Sequence, residues 1–184
     1  MTKAIYSLIG ADGYECIVPV NKEDYKALIF DGTPRIDTWR PVLMRRVNEN
    51  ADQRRPSKES DFPWQGDGHS LVLRDNALEA MRDMLEKNCE VLPLETEDKV
   101  QLYITNTQVL HAIDIEKSEI WRFPKSGKIM YVKRPHFQSH LLREVDIFRD
   151  ANVGSETFVS ERFVNRYHEK KLRGLMFHKI QSLE

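Results

Sequence analysis

Cysteine is scarce in this chain. There are two, Cys16 and Cys89, far apart and without metal-ligand spacing, which excludes a disulfide scaffold and points to a reducing compartment. Long hydrophobic runs are absent as well. The apolar start in MTKAIYSLIGADG is too short for a signal-peptide core, and no stretch approaches a membrane span. A cytoplasmic protein is therefore expected. Charge of one sign is missing too: the formal net charge is −1, with no general pull toward nucleic acid or anionic lipid. Neither a phosphate-binding glycine loop nor a GxSxG turn occurs. Neither cysteine sits in a recognisable catalytic signature.

What remains is an ordinary globular composition. Residues of the hydrophobic types make up 40% and charged residues 31%, enough to bury a core, and 184 residues predict a single domain over 1–184. The charge is mildly uneven. Residues 1–100 carry 14 Lys and Arg against 19 Asp and Glu, and residues 101–184 carry 14 against 10.

Patterning predicts a first strand at Ala4–Ile9 and a short extended piece at Cys16–Val20. A short helix can be capped by Asn21, a turn falls at Asp31-Gly32, and Trp39–Val47 reads as extended. Asp75 is placed to cap a helix whose Leu78, Met81, Met84 and Leu85 share one face; it ends near Asn88. An extended segment Glu90–Leu94 follows. Val100, Leu102 and Ile104 alternate with polar partners, as a half-buried strand does. Asp114–Ser126 reads as a connection, Ile129–Lys133 and Leu141–Phe148 as strands. A closing helix is capped by Ser160, turns Phe163, Val164 and Tyr167 to one face and stops at Gly174; a last strand starts at Leu175. Strand signals in runs with two separated helices predict an α+β fold: a mainly antiparallel sheet with two principal helices packed on it.

Candidate functional residues are few. Asn48–Gly68 is long and polar, and such loops are functional or disordered more often than not. Its Phe62 and Trp64 either pin it to the body or present contacts to a partner. The basic doublets Arg45-Arg46 and Arg54-Arg55 read as solvated charge. Glu95, Glu97 and Asp98 form an acidic patch. His136 and His140 have the spacing of zinc ligands on a helix, but Pro135 and the flanks favour extended chain, where the two stand about 13 Å apart. Position 137 is phenylalanine, not the glutamate of an HExxH motif. No metal or cofactor is expected.

The closing segment carries a further signal. Phe158-Val159-Ser160-Glu161-Arg162-Phe163, followed by Leu172-Arg173-Gly174-Leu175-x-Phe177, resembles the C-terminal signature of the eleventh family of bacterial immunity proteins in polymorphic-toxin systems. Earlier landmarks are similar to that family in the same order: Asp61-Phe62-Pro63, Glu90-Val91-Leu92-Pro93-Leu94, Tyr103-Ile104-x-Asn106, Ala112-Ile113-Asp114 with Ser118, and Ile147-Phe148-Arg149. The likeness spans roughly residues 60–180, while 1–59 carry little of it. Leu73-Arg74-Asp75 departs from the serine-led helix start of the family.

The resemblance implies a non-enzymatic protein that binds and neutralises a cognate toxin, of the kind delivered by contact-dependent or type VI secretion; an HNH-like nuclease is one such toxin. Its partner is then a protein, with no direct contact to nucleic acid or membrane. Candidate toxin contacts are Trp64, Glu95, Glu97, Asp98 and Trp121, the acidic three as a mimic of phosphate. The alternative is a small metal- or ligand-binding α+β enzyme domain using His136 and His140.

Overall fold

The computed structural model describes residues 4–47, 49–50, 55–66 and 70–183. Its elements run β1 (Ala4–Gly10), β2 (Cys16–Pro19), β3 (Leu43–Val47), β4 (Glu49–Asn50), β5 (Arg55–Pro56), β6 (Val72–Leu73) and α1 (Asp75–Asn88). They continue with β7 (Cys89–Thr96), β8 (Leu102–Thr107), β9 (Val109–Leu110), β10 (Glu119–Arg122) and β11 (Ile129–Arg134). The last are β12 (Ile147–Asp150), β13 (Val153–Ser160), α2 (Glu161–Glu169) and β14 (Leu175–Ser182). Short 3-10 turns occupy Lys22–Leu28 and Ser139–Leu141.

The strands form two five-stranded sheets where the sequence suggested one. The first has the order β14-β1-β13-β12-β9 and the second β2-β3-β7-β8-β6. Pairing is antiparallel except between β9 and β12 and between β3 and β7. The fold is α+β.

The first sheet is covered on both faces, and period-two alternation decides what each face receives. Leu8, Ile147 and Val159 point to one side, where they meet Met81, Leu85, Phe163 and Tyr167 of the two helices. Ile5, Phe148 and Phe158 point to the other, against Ala112, Ile113, Phe137 and Leu142. There Phe137, Phe148 and Phe158 form a ring cluster with centroids 5.0 to 5.5 Å apart. The second sheet has its own core of Ile17, Met44, Leu92, Leu94, Leu102 and Ile104, closed by Leu28, Phe30 and Val42.

Helix α1 buries Ala77, Met81, Met84 and Leu85, with Leu78 half-buried beside them. Asp75 is the first helical residue, not the cap; the cap position is Arg74, which makes no side-chain cap bond. Arg74 is committed elsewhere: its Nε donates to the Ser60 carbonyl at 2.8 Å and its Nη2 to Glu15 Oε1. Asp75 still complements the positive end of the helix dipole.

Helix α2 starts as expected. Ser160 Oγ accepts from the Phe163 N–H at 3.2 Å and donates to Asp146 Oδ1 at 2.7 Å. Arg162 reaches the same Asp146 with both Nε (2.9 Å) and Nη2 (3.0 Å). The helix ends at Glu169, and Lys171 takes the left-handed conformation with φ 54°, earlier than the predicted stop at Gly174. Gly174 has another duty. Its φ is +110°, and a Cβ there would stand 1.7 Å from Ser60 Oγ. Tyr167 Oη accepts from the Leu175 N–H at 3.0 Å, tying the helix to β14.

Three other regions differ from the sequence reading. Asp114–Ser126 contains β10. Leu141–Phe148 is a 3-10 turn and loop before a strand starting at Ile147. Strand β13, central in the first sheet, precedes the closing helix. Part of the Asn48–Gly68 loop lies outside the described residues; the rest includes β4 and β5 and is joined to the body through Tyr14–Lys58 and Cys16–Trp64 bridges.

Candidate interaction surface

Ile120 and Val132 are partners across the β10–β11 hairpin and pack on the core beneath it. The next pair, Trp121 and Tyr131, stands in solvent, 54% and 51% exposed. Phe123 and Met130 are also exposed, at 48% and 47%. Pro124 and Gly127 make the turn, with Gly127 at φ +67°. The Phe123 N–H donates to the Lys128 carbonyl and the Gly127 N–H to the Phe123 carbonyl, each at 2.9 Å. At the base, Glu119 accepts from Lys133 Nζ at 2.8 Å, with Arg134 at 3.5 Å. The ammonium of Lys133 holds the Glu119 carboxyl below the usual range.

The other candidates are placed differently. Trp64 is half-buried against Gly10; a Cβ on that glycine would stand 2.5 Å from Trp64 Cγ. Its backbone carbonyl accepts from the Ile17 N–H at 2.8 Å. This indole and the buried Phe62 fasten the loop to the body, one of the two roles open to them from sequence.

Glu95, Glu97 and Asp98 are exposed at the end of β7 and its turn. Arg45 grips Glu97 through Nε (2.7 Å) and Nη2 (2.9 Å), and Arg46 bridges Asp98 and the buried Glu15. These guanidinium groups hold Glu97 and Asp98 below the usual carboxylate range. Two of the three corner carboxylates, Glu97 and Asp98, are thus ion-paired, because parallel pairing of β3 with β7 brings the arginine doublet alongside them.

His136 and His140 line one open cleft of about 440 Å³ with Asp114, Lys117 and Arg143. A 3-10 turn at Ser139–Leu141 follows His136 where the sequence suggested extended chain, and both histidines line the same cleft. Among the described residues no three His, Cys, Asp or Glu side chains gather as a metal site requires. The two cysteines are free. Burial pushes the Cys89 thiol up to about 12, and burial with the charge of Glu15 raises Cys16, the reverse of what activates a nucleophile. Among the described residues no helix is long and apolar enough to cross a membrane.

Sequence reasoning named Trp121 but missed its neighbours. The signal was present: Pro124 and Gly127 punctuate two runs rich in β-branched and aromatic residues, as hairpins do. The exposed aromatic hairpin stands on a two-sheet α+β body. Residues 87–182, a little over half of the chain, match the Immunity protein family (Imm11), and the chain belongs to that family. The match begins near the end of α1 and runs through β14, so it contains both the hairpin and the α2 signature. No curated protein matches the chain.

Proposed function

We propose that the protein binds a cognate antibacterial toxin and neutralises it by contact, without catalysis, in the cytoplasm of the cell that makes it. Membership of the immunity family carries this reading. Residues 1–184 are taken as one immunity domain, supported by the pairing of β1 with strands from the far end of the chain. The toxin is a polymorphic effector, of the kind delivered by type VI or contact-dependent secretion, and an HNH-like nuclease suits it.

Among the candidate contacts, Trp121 has the exposure an anchor needs. Trp64 has less, since it is packed on Gly10. Glu95, Glu97 and Asp98 offer acid to a basic toxin, which must then compete with Arg45 and Arg46.

Growth rescue tests the proposal. Effector domains from the source genome are expressed one at a time in a sensitive host, with and without this protein. Restored growth against one of them, with a stoichiometric complex on size exclusion, supports it. Absence of rescue across the whole set removes it. A second reading, ligand binding at His136 and His140, is favoured by the cleft they share. Zinc titration followed by calorimetry tests that reading; no heat at millimolar metal rejects the metal form.

A further inference from the structure

We infer that the β10–β11 hairpin is the toxin-facing surface, and that the surface it meets on the toxin is acidic; this rests on the immunity reading above. Exposed apolar side chains scattered singly are ordinary on a protein surface, whereas a contiguous group marks a contact. Trp121, Phe123, Met130 and Tyr131 lie within one hairpin, and the first and last are direct register partners. Their side chains are not needed to hold the hairpin down. Ile120, Ile129 and Val132 do that from the other side. A two-stranded sheet alone is marginal in water, and this one is joined to neither five-stranded sheet. It is a platform seated on the core with its aromatic side outward. Trp, Tyr, Phe, Met and Arg are the residue types that interface centres favour.

Charge chooses the partner's chemistry. The hairpin holds five basic residues, Arg122, Lys125, Lys128, Lys133 and Arg134, and one acidic residue, Glu119. Glu119 is occupied by Lys133 and Arg134 at the base. Among the described residues no carboxylate pairs with Arg122, Lys125 or Lys128 at the tip. The Arg122 Nη1 donates to the Gly127 carbonyl at 2.9 Å, so the turn that presents the lysines is held in shape before binding. A surface already ordered loses less entropy when it docks. From the base of β11 the chain passes into the cleft of Asp114, Lys117, His136, His140 and Arg143, where Asp114 and Lys117 pair at 3.5 Å and Arg143 adds one further cation. A partner that covers the aromatic patch therefore brings carboxylates to its rim.

This has a mechanistic consequence. An immunity protein that copies nucleic acid presents acid to a basic groove. A basic, aromatic hairpin seeks an acidic region instead, so a nuclease partner would be engaged outside the groove that grips phosphate.

The test uses the full chain and the toxin identified by growth rescue, carried as an inactive variant so that both can be purified. Binding is measured for wild type, for Trp121→Ala with Tyr131→Ala, and for Lys125→Glu with Lys128→Glu. The aromatic double variant is expected to lose about 100-fold or more in affinity, as loss of two anchors does. The charge reversal is expected to slow association about tenfold and flatten its salt dependence. Both variants should keep the wild-type melting temperature. Undiminished affinity in the folded variants, with wild type still rescuing, overturns the surface and leaves the immunity reading standing. Failure of wild type to rescue against any effector overturns both. Duplex DNA or phosphatidylserine vesicles that bind the hairpin more tightly than the toxin does, with binding lost in the lysine variant, would assign the surface to phosphate instead.

Discussion

Glu90 and Asn106 stand opposite each other across β7 and β8, and Asn106 Nδ2 donates both to Glu90 Oε2 and to the Thr33 carbonyl, each at 2.7 Å. Glu90 also accepts from the backbone N–H groups of Arg35 (2.8 Å) and Ile36 (3.1 Å). Two residues of separate sequence landmarks thus hold a loop more than fifty positions upstream.

Burial acts to raise the Glu90 pKa, but the N–H groups of Arg35, Asn106 and Ile36 prevail and hold it below the usual range. A carboxyl depressed on folding contributes stability that is full above its unfolded pKa and lost as pH falls through the folded one. Glu90→Gln is expected to cost about 1–3 kcal/mol at pH 7. The gap from wild type should narrow as the pH is taken below the ordinary glutamate range. Urea unfolding of both proteins at pH 7 and in mild acid checks this; a gap that widens in acid refutes it.

Glu15 is 2% exposed and sits between the guanidinium groups of Arg46 and Arg74, while its Oε1 also accepts from the Ser60 N–H at 3.1 Å. Removing the acid leaves the largely buried Arg74 with only the Ser60 carbonyl and a Glu59 carboxylate 3.9 Å away, while Arg46 keeps Asp98. Glu15→Ala should lose about 3–5 kcal/mol. Chemical denaturation measures it, and a loss under 1 kcal/mol would mean that water replaces the carboxylate.

Gly174→Ala should destabilise sharply, since both its φ and the nearby Ser60 oppose a Cβ. Ser60→Gly in the same chain removes the worst contact and should restore part of the melting temperature. Strain from the positive φ, about 1–3 kcal/mol, remains. Equal melting temperatures for the single and double variants would show that the backbone alone is responsible.

With its thiol pushed up to about 12, Cys89 in the native protein should react with iodoacetamide on the order of a thousandfold more slowly at pH 8 than in the unfolded chain. Peptide mass spectrometry with and without urea reads this directly. Rapid native labelling at Cys89 would contradict the burial of its sulfur.

Neutralising the acidic corner, as Glu95→Gln, Glu97→Gln and Asp98→Asn together, should change toxin affinity by less than about threefold, the scale of exposed ion pairs. A loss of tenfold or more in a folded triple variant would move the contact from the hairpin to that corner.

The α2 signature was legible because its interactions are local. Ser160 caps three residues ahead, and Phe163, Val164 and Tyr167 repeat at helical spacing. Strand β13 was missed because its start, Val153 to Glu156, carries few apolar residues and its end runs straight into the helix. Strand β10 was missed because Ile120 and Trp121 are adjacent and the hairpin has register shifts on either side of them. The pairing of Glu97 and Asp98 with the arginine doublet depends on β3 lying beside β7, a partnership of segments about fifty residues apart. Trp121 could be picked as a tryptophan, but its exposure beside Tyr131 follows from hairpin register, which composition does not encode.

Among the described strands β1 is made first, yet the two that flank it, β13 and β14, are made last. At roughly 5–20 residues per second, Ile5 and Leu8 wait several seconds or more for the partners that bury them. The first sheet is therefore complete only after β14 is made, and until then a translating chain leaves the apolar faces of β1 without their cover.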